Sequence, residues 1–196
     1  MTWLLLLVSF LIYLIGMGWI QRNQWRLTLY VWSAFGLAFL VIHLALLMGW
    51  PTALAAAEAQ HLVEIMRLLG FELEVVNEVT IMVPDSTGWS GLTIGIESST
   101  LIELSAFVGL MLYYPRISTQ RRSTYLMIGI IGTYLFNLIR LVTIVTIILV
   151  WGKSAFPLAH NVIGRLVYFA GVVGLYWYLF VGVLVVISLR EYLKSP

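Results

Sequence analysis

The 196 residues include no cysteine, which excludes disulfides and any thiolate metal site. Charge is also scarce. Asp, Glu, Lys and Arg make up 10% of the chain and hydrophobic residues 61%, against about 25% charged and 45–50% apolar in a soluble domain. With a mean hydropathy of +0.98, this composition describes an integral membrane protein. The three histidines are scattered, without His-x-x-x-His spacing or accompanying acidic ligands, so neither a metal site nor a cofactor is expected. The sequence pI is near 9.0, but the basic residues fall in short loops, and nucleic acid is not an expected partner. No Pro/Gly/Ser-rich linker, low-complexity tract or repeat divides the chain, which reads as a single membrane domain over residues 1–196. The first apolar segment has no small-x-small cleavage site after it and is read as a retained span.

What the chain does have is long apolar runs. Residues 3–20, 27–50, 98–114, 124–150 and 158–189 predict five transmembrane helices across a hydrocarbon core of about 30 Å. Trp3, Trp19, Trp25 and Trp50 fit aromatic belts at the two membrane faces. His43 lies inside the second span, where a histidine is either functional or held by a packing hydrogen bond. Residues 52–70 differ in kind. At 100° per residue, Leu54, Ala55, Leu62, Ile65, Met66 and Leu69 share one side and Gln60, His61, Glu64 and Arg67 the other, with Glu58 the one misfit. This is an amphipathic helix expected in the interface plane, stopped by Gly70, with His61 on its solvated face. Over residues 71–96 the period changes: β-prone runs at 79–83 and 92–96, punctuated by Asn77-Glu78 and residues 84–88, predict a small antiparallel β-element. The fold class is an all-α polytopic membrane protein of about five spans, with an interfacial helix and a small extracellular β-element.

Charge orients it. Arg22, Arg26, Arg116, Arg121, Arg122, Arg190 and Lys194 fall on one side of a five-span arrangement, the side expected to be cytoplasmic. Glu58, Glu64, Glu72, Glu74, Glu78, Asp85 and Glu97 fall on the other. The N-terminus is then outside, the C-terminus inside, and the amphipathic helix and β-element face the exterior.

Polar residues inside the spans are few and grouped. Glu97, Ser98, Ser99 and Thr100 stand in a row where the third span should begin; a helix N-terminus stabilises anions and nucleophiles, although Thr100 to Glu103 also fits a capping box. The fourth span carries Thr133, Asn137 and Arg140 on one face, and a mid-helix arginine needs a polar interior or a partner. Ser98, Ser105 and Gly109 share a face of the third span, and His160, Gly164 and Gly171 one of the fifth, where small residues permit close helix approach. Ser98 lies 16 residues before Tyr114, and Arg140 lies 16 after Thr124, so both stand about 24 Å above the inner boundary. By the same count His160 stands too high. Glu103 and Arg165 are placed to form a buried pair serving helix registry.

Three of these blocks, Ile96-Glu97-Ser98-Ser99, Asn137-Leu138-Ile139-Arg140 and Ala159-His160-Asn161, resemble in order and spacing the signature blocks of the exosortase/archaeosortase family. The five-span layout is similar to the compact G-type branch of Gram-positive bacteria. The resemblance implies a multi-pass enzyme of the bacterial plasma membrane that cuts a C-terminal sorting signal of a membrane-anchored exported protein and passes it to an acceptor the sequence does not identify. It implies Ser98, Arg140 and His160 as catalytic residues, with Glu97, Asn137 and Asn161 contacting substrate. One departure matters: the family's nucleophilic cysteine falls on Ser98. Either a cysteine was replaced in this chain to quiet the enzyme, which is the favoured account, or this is a natural serine or inactive member. A hydroxyl lacks the thiol's route to ionisation at a helix end, so the serine form is expected to be inactive or very slow. A non-enzymatic transporter or accessory subunit of an export or polysaccharide-assembly complex is the alternative, although no internal repeats or broken helices are seen. A serine intramembrane protease would lack a nucleophile elbow.

Overall fold

The computed structural model describes residues 2–23, 26–85, 88–95, 98–114 and 117–182, with the side chains of residues 2–6 and 182 left aside. Glu97 and the predicted last span beyond Gly182 lie outside the described residues.

Helices α1 (Thr2–Arg22), α2 (Arg26–Leu47), α4 (Leu101–Tyr113), α5 (Thr119–Trp151) and α6 (Lys153–Val181) are the five apolar helices expected. Of these, α2, α5 and α6 are each long and apolar enough to cross a membrane. Neighbours follow one another as α1–α2–α4–α5–α6. The buried residues of α2 are Ser33, Ala34, Ala38 and Ala45, small side chains that let α2 and α4 approach closely where lipid gives no hydrophobic drive. At one end of the bundle Phe107, Met111, Ile117 and Leu179 form a cluster ringed by tyrosines and Phe180.

At the other end sits a cap. Helix α3 (Trp50–Leu68) starts with Pro51 in its first turn. It ends in a Schellman-type turn: Gly70 adopts φ +87° and Phe71 N–H donates to Met66 O at 2.9 Å. A three-stranded antiparallel meander follows, β1 (Glu74–Asn77), β2 (Thr80–Asp85) and β3 (Gly88–Thr93). Its first turn is held by Asn77 Oδ1, which accepts from Val79 and Thr80 N–H at 3.0 and 2.8 Å. The predicted β-element is therefore present. The apolar face of α3 does not face lipid as expected. It joins Ile81, Val83 and Leu92 of the sheet, Ile94 just after it, and Leu141, Ile144, Val145 and Ile148 of α5 in one buried core.

Helix α5 links the two regions. Its 33 residues make a rod of about 50 Å, longer than a hydrocarbon core of about 30 Å. Its buried residues run from Gly129 in the bundle to Ile148 in the cap.

Candidate active site at the seam of cap and bundle

The polar blocks converge where cap meets bundle. The third span starts later than expected: α4 begins at Leu101, and Ser98 lies in the turn before it. Ser98 and Ser99 N–H both donate to Gly95 O, at 2.9 and 2.8 Å, which folds the chain back at position 98. The first α4 bond runs from Leu104 N–H to Thr100 O at 2.9 Å. The N–H groups of Leu101 to Glu103 precede it, so the positive end of α4 faces the turn. The capping-box expectation is overturned. Thr100 makes no side-chain cap, because its hydroxyl donates instead to Glu58 Oε1 at 2.6 Å, and its N–H reaches the same oxygen at 3.2 Å.

Asn137 binds this turn from α5: its Nδ2 donates to Ser98 O at 3.0 Å. That contact agrees with the expected common depth of the third and fourth spans. Thr133, Asn137 and Arg140 are all buried on one face of α5. Arg140, 5% exposed, lies 5.8 Å from the Tyr168 ring centroid. Its Nε has no hydrogen-bond partner among the described residues.

His160 meets the same turn from α6, which starts at Lys153, ahead of the predicted span. After Gly152, which has φ +74°, the chain enters a 3₁₀ turn (Lys153–Ala155) and a short α stretch (Phe156–Leu158). It then widens to a π turn over Ala159–Ile163, a local form often found at functional sites. Ala159 is anchored in the cap core. One turn on, a Cβ at Gly164 would meet Ile144 of α5 and the Ala159 carbonyl at 2.9 Å, so glycine there allows the close approach. His160 Nε2 lies 3.4 Å from Ser98 Oγ, and its Nδ1 lies 3.2 Å from Asn161 Oδ1. With Nδ1–H donating to Asn161, Nε2 is left to accept from position 98. Phe156 stacks on the imidazole at 5.5 Å and 15°. Asn161, expected to contact substrate, thus orients the histidine.

Beside this pair is a cavity of about 510 Å³ lined by Glu103, Arg140, His160, Arg165, Tyr168 and Tyr176, with an apolar wall from Phe169, Val172 and Val173. Glu103 and Arg165 do not form the expected buried pair. Arg165 is exposed, the two share the cavity wall, and no ion pair joins them among the described residues. His43 belongs to neither region's chemistry, for its Nδ1 lies 2.9 Å from Phe39 O within its own helix. His61, expected to be merely solvated, pairs with Tyr134 OH of α5 at 2.7 Å.

Glu58 was not among the expected site residues. It is 0% exposed, and burial pushes its carboxyl above the ordinary 4.5, opposed by the Thr100 hydrogen bonds, Asn137 and the Arg140 charge. The available signal was its place on the apolar stripe of α3, with Ala55, Leu62 and Met66.

A family model described as transmembrane exosortase (Exosortase_EpsH) matches residues 2–178, and the chain belongs to that family. Neither a search of curated proteins nor one of solved structures returns a match.

Proposed function

We propose that this exosortase-family chain has the architecture of a thiol transpeptidase of the outer face of the bacterial plasma membrane. Its substrate is an exported, membrane-anchored protein whose C-terminal sorting signal is cut and exchanged for an acceptor. With serine at position 98, the chain is held inactive or very slow. The observation that carries the reading is the 3.4 Å approach of Ser98 Oγ to His160 Nε2, with Nδ1 of the same ring on Asn161.

With a thiol at position 98, His160 takes the S–H proton, and the sulfur attacks the scissile carbonyl carbon. The carbonyl π electrons move to oxygen, and Arg140, at the adjacent cavity, stabilises that oxyanion. When the tetrahedral adduct collapses, the C–N bond breaks, His160 returns its proton to the departing amine, and a thioester remains. An acceptor nucleophile then attacks the thioester, releasing the sulfur as thiolate. Asn137 fixes the backbone at position 98 through its carbonyl, and Glu97 is assigned to substrate contact. The apolar wall of the cavity suits a membrane-anchored tail, and limited water favours transfer over hydrolysis.

The test is Ser98→Cys in membranes, beside the serine chain and Ser98→Ala, with a membrane-impermeant maleimide added from outside and an epitope-tagged exported protein bearing a hydrophobic C-terminal tail. The expected result is labelling and tail cleavage only with cysteine. Labelling only after the inner face is opened would overturn the topology. An inert cysteine form beside a fully functional serine chain would overturn the nucleophile and favour the transport or accessory role.

A further inference from the structure

Glu58 is a buried carboxylate on an otherwise apolar face, 42 residues from the turn it contacts. A carboxyl taken out of water is unfavourable unless it is bound. Only one of its oxygens is bound among the described residues: Oε1 takes both Thr100 N–H at 3.2 Å and Thr100 Oγ–H at 2.6 Å, while Oε2 has no partner. Asn137 and the Arg140 charge also favour its ionised form. Both hydrogen bonds at Oε1 go to Thr100, two positions after Ser98, at the junction of the turn and α4.

The grip has a geometric effect. The turn is held at its start by Gly95 O, beneath position 98 by Asn137 and at its end by Glu58. These three holds come from the strand side, the bundle and the cap. Without Glu58, the Thr100 hydroxyl is free to turn back and cap its own helix, the local alternative open to a threonine at that position. The end of the turn would then shift, and position 98 would lose its alignment with His160 Nε2.

We propose that Glu58 is a positioning residue for the nucleophile: from the cap helix, through Thr100, it sets the turn that presents position 98 to His160. This rests on the transpeptidase reading, and the test separates the two. All variants are made in the full-length Ser98→Cys chain in membranes and probed in two ways. The first is the pH dependence of alkylation of the introduced thiol by iodoacetamide, which needs no substrate. The second is tail cleavage split into kcat and KM.

Glu58→Ala is expected to raise the apparent thiol pKa by about one unit, toward that of a free thiol. It should also lower kcat about 30- to 100-fold, with KM within about threefold, as misplacement of a reacting group does. Glu58→Gln keeps a carbonyl acceptor for Thr100 and is expected to recover the alkylation profile. Thr100→Val should follow Glu58→Ala in direction, and Thr100→Ser should restore it, which decides the matter if Glu58→Ala fails to accumulate. A carboxyl that merely clamps the cap would lower stability while leaving the alkylation profile and kcat unchanged, and that result overturns the proposal. If the parent cysteine chain cleaves nothing but the alkylation shifts appear as stated, Glu58 keeps its role and the reaction assignment fails instead.

Discussion

The cap and the bundle of this protein are packed by different rules. In the cap, the large aliphatic side chains of Leu62, Ile81, Ile144 and Ile148 gather in one buried core beside Ala59 and Ala159, as expected where water drives apolar surface together. In the bundle, α2 buries only serine and alanine, and Gly129 and Gly109 are among the buried residues of α5 and α4. Lipid is as apolar as leucine, so close backbone approach supplies the contact between α2 and α4, while Phe107, Met111 and Leu179 fill a second buried cluster at the far end of the bundle. The candidate site lies where the two kinds of packing meet. The cap contributes Glu58 and Ala159, while α5 contributes Asn137 and Arg140. A seam of this kind can be rigid and still laterally open, since only one of its sides must exclude water.

The sharpest way to break this picture is at the seam itself. In the Ser98→Cys chain, His160→Ala should lower tail cleavage by about 10²- to 10⁴-fold, and Arg140→Ala by about 10²- to 10³-fold, measured as kcat/KM at equal membrane abundance. Loss of less than tenfold in both would separate the seam from the chemistry. Next in size is a matched pair followed by unfolding in detergent. Leu62→Ala in the cap should lose about 2–5 kcal/mol, whereas Ile131→Ala, on the 53%-exposed outer face of α5, should stay within about 0.5 kcal/mol. Equal losses would mean that burial in the cap core is not what Leu62 contributes. Smaller again is Gly109→Ala. Its added Cβ would collide with the Ala34 carbonyl of α2 and should cost about 1–3 kcal/mol, read from the same unfolding curves.

The smallest effect is a pH slope. The folded-state pKa of Glu58 lies above the ordinary 4.5, so the folded chain binds the proton more tightly than the unfolded one. Its stabilising contribution is complete below the unfolded value and is lost as pH rises through the folded value. Glu58→Gln, which cannot ionise, should therefore gain stability relative to the parent as pH rises from 4 to 8. A flat difference would show that burial does not perturb this acid.

Much of the molecule is legible from residue pattern alone. The apolar helices, a small β-element after Gly70 and the polar face of α5 follow from local sequence, although the third strand falls at Gly88–Thr93, ahead of the expected 92–96 run. Helix α4 starts three residues later than its pattern suggests, because Ser98-Ser99-Thr100 suits a cap and a turn equally well. Only Glu58, 42 residues away, decides between them by taking the Thr100 hydroxyl. His160 stands too high by residue count only if its helix stops at the membrane boundary. In the structure α6 starts at Lys153, ahead of the expected start at 158, and includes a π turn that shifts the face on which His160 falls. Glu103 and Arg165 look like partners by position, yet the cavity lies between them and the Arg140 charge acts on Glu103. Glu58 is visible as an acid on an apolar stripe, but periodicity names no partner.

The length of α5 carries one more consequence. Since a single rod of 33 residues holds the bundle at one end and the cap core at the other, one covalent ruler fixes the distance between them. A thinner or thicker bilayer cannot slide cap past bundle without breaking that helix. Mismatch is then met by tilt, which carries the turn, the imidazole and the cap together and leaves the geometry of the candidate site intact.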